Sequence, residues 1–203
     1  AYNYNSASSI ILENTVRACF LYDRLVFERN EGYDEQLFKI EDYDFWLRAS
    51  LHSTFSHLPE VLYYYRKHPE SLTAGKTISQ FVYQEDYLRN VERMYLNFLQ
   101  KSGVKNETLS RLLKDLHLNQ KLDVYSFLAN YKKFRKDFEK ILNEKERAGF
   151  WSEVDKKIRA NLIRFPQSRK IGLLYLIVKA RPQVLYSYSK RKSLRILFKV
   201  LFK

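Results

Sequence analysis

Residues 39–48 read KIEDYDFWLR. Three carboxylates, Glu41, Asp42 and Asp44, stand just ahead of a Phe-Trp-Leu triplet in a chain that carries 36 Lys+Arg against 23 Asp+Glu. Acidic residues in the first turn of a helix are stabilised by its exposed backbone N–H groups. The spacing therefore predicts a short helix over Glu41–Ser53, with Ile40, Asp44, Leu47 and Leu51 along one side. The same placement suits a general base, because an ionised carboxylate at a helix mouth can accept a proton from a hydroxyl within hydrogen-bonding reach. Position alone leaves the capping role and the chemical role both open.

Upstream, residues 9–27 are rich in β-branched and aromatic types and read as a buried strand leading into a short helix or turn, with Gly32 as the next punctuation. Downstream, FSHLPEVLYYYR (55–66) reads as two short extended pieces divided by Pro59, Val61–Arg66 being the better strand, and residues 67–76 read as loop. Beyond Thr77 the period changes. Phe81, Tyr87, Leu88, Val91, Met94, Tyr95, Phe98 and Leu99 recur mostly at three- and four-residue steps, predicting a helix over 78–101 that Lys101-Ser-Gly103 ends. Helical spacing continues from Asn106 to Glu146 with a break near Asn119 or Asn130. Gly149 and Pro166 bracket another helix, and Pro182 limits one after Lys170.

A chain of 203 residues with 45% hydrophobic content can bury a core, in one medium domain or two small ones. Five Gly and four Pro favour long elements with few turns. The single cysteine, Cys19, excludes an internal disulfide and a cysteine-built zinc site. The opening AYNYNSASS has neither a charged nor an apolar leader region, so no signal peptide is expected there. The longest unbroken apolar run, Leu173–Val178, is far short of the ~20 residues of a membrane-spanning helix.

Charge is unevenly distributed. Residues 1–75 hold 7 basic and 11 acidic side chains, whereas residues 156–203 hold 14 Lys+Arg and no Asp or Glu. The final KSLRILFKVLFK (192–203) spaces Lys192, Arg195, Lys199 and Lys203 at helical steps among Leu, Ile, Val and Phe, the pattern of a basic amphipathic helix that can lie on an anionic membrane surface. Docking on its own protein is the plainer reading. Binding nucleic acid ranks below membrane contact, because apolar residues outnumber the polar ones that a groove reader needs. A basic helical module without catalysis is thus the alternative function.

Three stretches in order, CFLYDRLVFERNEGYDEQL (19–37), EDYDFWLRAS (41–50) and FSHLPEVLYYYRKHPESLT (55–73), resemble the second half of the catalytic domain of glycosyltransferase family 2, the inverting sugar transferases of GT-A fold. The resemblance covers roughly residues 10–75. It implies an α/β fold, a partial GT-A unit over 1–76, which the periodicity and charge of the rest continue as a mainly helical, strongly basic region over 77–203. It implies that Asp42 is the catalytic base and that Glu41 supports it, with Trp46 and Arg48 bracing the helix. Arg66 and Ser71 would contact the diphosphate and His68 the metal, a divalent Mg²⁺ or Mn²⁺. The partners implied are a nucleotide-sugar donor and a saccharide or lipid-linked acceptor. Together with the basic segment 156–203, which can meet an anionic membrane surface, the expected location is cytoplasmic and peripheral, at the inner face of the membrane. The family's nucleotide-binding first half and its metal-binding Asp-x-Asp are not among these residues; Asp42-Tyr43-Asp44 spells that pattern by coincidence.

Two other patterns carry no function. Gly75-Lys76-Thr77 looks like the close of a phosphate-binding loop, but the earlier glycine falls at Glu70. Asn106-Glu107-Thr108 fits a glycosylation sequon by chance.

Overall fold

The computed structural model describes residues 7–16, 19–66, 69, 85–118, 123–162 and 177–180. Through them run α1 (Ala7–Leu12), α2 (Arg24–Asn30), α3 (Glu41–Ala49), α4 (Glu85–Lys101), α5 (Glu107–Leu118), α6 (Val124–Ala129), α7 (Tyr131–Ile141) and α8 (Glu144–Leu162). By contact the chain divides into two units, Ala1–Lys114 and Asp115–Lys203. The division near residue 76 rests on the resemblance and on charge, which are different grounds from contact.

The N-terminal unit is built around α3, which packs against α1, α2 and α4. Every residue from Tyr43 to Ala49 is buried, and a helix covered on all sides needs polar groups that find partners inside. Its side chains do so except at the Trp46 Nε1. The Tyr43 hydroxyl donates to the Ile10 carbonyl at 2.7 Å, and Asn30 Nδ2 donates to the Phe45 carbonyl at 2.8 Å. From α4, the Tyr95 hydroxyl reaches the Ile11 carbonyl at 2.7 Å, so two tyrosines tie the end of α1 to both neighbours. Arg48 is held by Asp44 one turn earlier at 2.7 Å and donates to the carbonyls of Asn30 and Gly32 at and beyond the end of α2. Asn97 of α4 bridges Asp44 and Asp34 at 3.1 and 3.0 Å.

Helix α4 stops where the sequence places its end. The Val104 N–H bonds the Leu99 carbonyl and the Gly103 N–H the Gln100 carbonyl, with Gly103 at φ 76° and Val104 buried behind it. A β-carbon on Gly103 would meet nothing within 4 Å. Gly103→Ala is therefore expected to cost about 1–2 kcal/mol from backbone conformation alone, measurable as a small shift in the urea midpoint. Asn106 of the apparent sequon has a structural role, its side chain accepting the Leu109 N–H at the start of α5.

In the C-terminal unit, α6, α7 and α8 pack on one another. Phe127, Tyr131, Phe134 and Phe138 follow at four-, three- and four-residue steps and are all buried. Phe138 stacks on Phe150 of α8 with ring centroids 4.3 Å apart. Phe138→Ala is expected to destabilise this unit by about 3–5 kcal/mol, read from Trp151, which lies 6.0 Å from the Phe138 ring.

Several expectations are corrected. No strand occurs among the described residues, so the α/β reading with a partial GT-A unit does not hold. Over 9–27, read as a strand leading into a short helix or turn, the strand is absent among the described residues: α1 takes the start, and α2 is a short helix at the end. The expected strand Val61–Arg66 forms no ladder among the described residues and leaves its side chains exposed. β-Branched and aromatic residues favour a pleated, half-buried surface only where a neighbouring strand supplies the ladder. Gly149 does not bracket a helix either, because α8 runs through it. A mid-helix glycine costs about 1 kcal/mol. Here Phe150, Val154 and Ile158, buried at four-residue steps, outweigh it. The reciprocal cap at the start of α8, Glu146 N–H to Asn143 Oδ1 and Asn143 N–H to Glu146 Oε2, helps.

Candidate functional site around Asp42

At the mouth of α3, Ile40 is the N-cap and makes no side-chain cap. Lys39 before it adopts a left-handed φ of 76°, which turns the chain into the helix. Asp42 is half-buried and its carboxylate accepts the Tyr43 N–H at 2.6 Å. Burial pushes the Asp42 carboxyl above its ordinary value of 3.8, the neighbouring Glu41 charge adds to this, and hydrogen bonds from the Tyr43 N–H and the Asn14 side chain only partly oppose it. Desolvation thus outweighs the helix terminus, which by itself would hold the carboxylate ionised.

The side chains around Asp42 come from four segments. Its charge, with that of Glu41, contributes to raising the Tyr33 hydroxyl, behind burial and the Tyr22 hydroxyl 3.2 Å away. Tyr87 of α4 is raised first by burial and then by Asp42. Trp46 lies one helical turn beyond Asp42 on the same side of α3. Its indole is 3% exposed, packed by Phe20 at 4.6 Å and Tyr22 at 5.6 Å, and its Nε1 is buried without a hydrogen-bond partner. The Oδ1 of Asn14 is buried without a partner as well. Tyr33 and Tyr87 thus feel the Asp42 charge, and a half-buried carboxyl of this kind can take the proton of a hydroxyl that comes within hydrogen-bonding reach.

Asp44 serves the fold instead. It is fully buried, and burial raises its carboxyl while Arg48 and Asn97 pull the other way. With its carboxylate on Arg48, it shares no cation position with Asp42. No group of three or more His, Cys, Asp or Glu suited to a metal ion occurs among the described residues; His68, the metal contact that the resemblance implies, lies outside them.

Of the other expected site residues, Glu41 is exposed beside Asp42. Arg66 is exposed, and the groups that act most on Asp42 do not include it. His68 and Ser71 lie outside the described residues, as does nearly all of the basic 163–203 segment. Among the described residues, no helix is long and apolar enough to cross a membrane. Sequence reasoning missed Asn14, Tyr33 and Tyr87 as neighbours of Asp42. The four-residue step to Trp46 is a readable signal; nothing local announces Asn14 or Tyr87. A separate cavity of about 490 Å³ is lined by Glu85, Leu88, Arg89, Glu92, Arg93, Leu96 and Lys114 and includes none of these residues.

The raised Asp42 carboxyl fixes the sign of a stability effect. Such a group favours the folded state fully below its unfolded value near 3.8 and loses that contribution as pH rises through its folded value. Asp42→Asn, which stays neutral, is expected to be more stable than the parent at pH 7. The difference should vanish below about pH 3.8, measured by urea unfolding across pH.

Comparison of the chain with family models, with curated proteins and with solved structures returns no match.

Proposed function

We propose that this chain supplies the acceptor-activating part of an inverting glycosyl transfer, with Asp42 as the general base. The observation that carries the reading is the Asp42 carboxyl: half-buried, at a helix mouth, with its proton affinity raised by burial and by Glu41. In the reaction, the acceptor hydroxyl oxygen attacks the anomeric carbon of a nucleotide-sugar. The bond to the diphosphate breaks with inversion, and the hydroxyl proton passes to Asp42. A carboxylate whose proton affinity is raised toward working pH is a better acceptor for that proton than an ordinary surface aspartate. Glu41 contributes through its field. The acceptor class is a saccharide or lipid-linked saccharide, and attachment to an anionic membrane surface through 156–203 rests on the run of basic residues there.

The test is incubation of this chain joined to a nucleotide-sugar-binding half with UDP-, GDP- and dTDP-sugars and oligosaccharide acceptors, following nucleoside diphosphate release and the anomeric configuration of the product by NMR. Acceptor-dependent release with an inverted product is expected. A product of retained configuration, or release that does not depend on the acceptor, would contradict the reading.

A further inference from the structure

Leu58, Val61, Leu62, Tyr63, Tyr64 and Tyr65 are between 52 and 88% exposed. Single apolar residues on a surface are ordinary, but six large ones within eight positions mark a contact surface. Residues 61–66 adopt no helix or turn, and no backbone hydrogen bond to them is made among the described residues. The rings of Tyr63 and Tyr65 lie 6.4 Å apart, the i,i+2 neighbours on one face of an extended chain. An extended segment of this kind, with β-forming side chains and no ladder to its backbone among the described residues, is a template for a strand.

The sequence specifies which strand. Laid antiparallel on itself about Tyr63, the segment sets Glu60 against Arg66 twice, Val61 against Tyr65 and Leu62 against Tyr64. Opposite charges and aliphatic–aromatic pairs are the favoured cross-strand neighbours. With Tyr63 as a central non-hydrogen-bonded pair, the bonded pairs are 62:64 and 60:66. Pro59 then falls where the ladder asks for no N–H. Shifting the partner by two residues in either direction loses both ion pairs. Glu60 and Arg66 are exposed, open to a partner's opposite charge.

We propose that residues 59–66 form a self-complementary docking strand whose occupant is the same segment of a second copy of this chain, giving a two-fold symmetric dimer. Leu21, which is 99% exposed, and Leu25 add apolar surface to the same unit. The interface is independent of the Asp42 chemistry.

Sedimentation velocity of the full 203-residue chain at ~150 mM NaCl, near physiological ionic strength, is expected to show a concentration-dependent monomer–dimer equilibrium. By symmetry, each single charge reversal creates two like-charge pairs. Glu60→Arg and Arg66→Glu should each raise the dimer Kd about tenfold or more. Combining them should return it to within about threefold of the parent, and Tyr64→Asp should give a monomer. Far-UV circular dichroism should be unchanged throughout, because the substituted side chains are exposed. A chain that is monomeric at every concentration, a dimer indifferent to both reversals, or a double variant that stays dissociated would overturn the proposal; the last two would point to another occupant.

Discussion

Asp42→Asn is expected to lower the rate of sugar transfer by about 10²–10⁴-fold, the usual contribution of a positioned general base. The amide has nearly the shape of the carboxyl and can still accept the Tyr43 N–H, which Asp42 does at 2.6 Å. It cannot take up the acceptor proton. Since the variant is also expected to be more stable at neutral pH, lost activity and gained stability in one protein would separate a chemical role from a structural one. Glu41→Gln should act more mildly, because Glu41 is a secondary influence on Asp42 behind burial. Removing its charge lowers the proton affinity of Asp42, so the acid limb of the rate profile should move to lower pH. An Asp42→Asn protein with the parent's turnover in the nucleoside diphosphate assay would remove Asp42 from the reaction.

Arg48→Met is expected to destabilise the N-terminal unit by about 3–5 kcal/mol, the cost of breaking a buried pair by removing one partner. The guanidinium is nearly enclosed and satisfies the fully buried Asp44 carboxylate. It also donates to the carbonyls of Asn30 and Gly32. Methionine fills much of the volume but leaves a desolvated carboxyl and two unsatisfied carbonyls. A domain of ordinary stability, about 5–15 kcal/mol, loses a large part of its margin to such a change. Adding Asp44→Asn should restore part of the loss, because the remaining buried group is then neutral. In a Trp151→Phe background Trp46 is the only tryptophan left of two, so guanidinium unfolding followed by its fluorescence reports on this unit alone.

Where the sequence can be read, the reason is local. The three- and four-residue spacing of Val91, Met94, Tyr95, Phe98 and Leu99 gives α4, and Gly103 gives its end. Asn130 separates α6 from α7, as a polar break there implies. The acidic first turn of α3 is legible, though the helix closes at Ala49 instead of Ser53. The expected strands fail because their evidence is residue type alone. Val61–Arg66 has every preference for a sheet and no neighbour among the described residues to make one. Gly149 fails as a stop because its cost is small beside the packing of a 19-residue helix.

The site follows the same division. The helix start at Glu41 and Asp42 comes from one short stretch and its periodicity, whereas the roles of Asp42, Glu41 and Arg48 come from the resemblance that this stretch carries. The property that makes Asp42 a candidate base does not. Its raised proton affinity arises from burial among side chains of other segments; Asn14 bonds it from near α1, and Tyr87 feels its charge from α4. These are long-range contacts that no window of sequence contains. The sign is also out of local reach: a helix mouth by itself lowers a carboxyl, and only the packed structure shows burial winning.

The most direct test is a carbon-13 NMR titration of the Asp42 side-chain carboxyl in the full chain, assigned by comparison with Asp42→Asn. A midpoint above 3.8, the ordinary value for aspartate, is expected, and it should move down in Glu41→Gln. A midpoint at or below 3.8 would mean that the helix terminus governs this carboxylate after all, and the case for Asp42 as a base would fall with it.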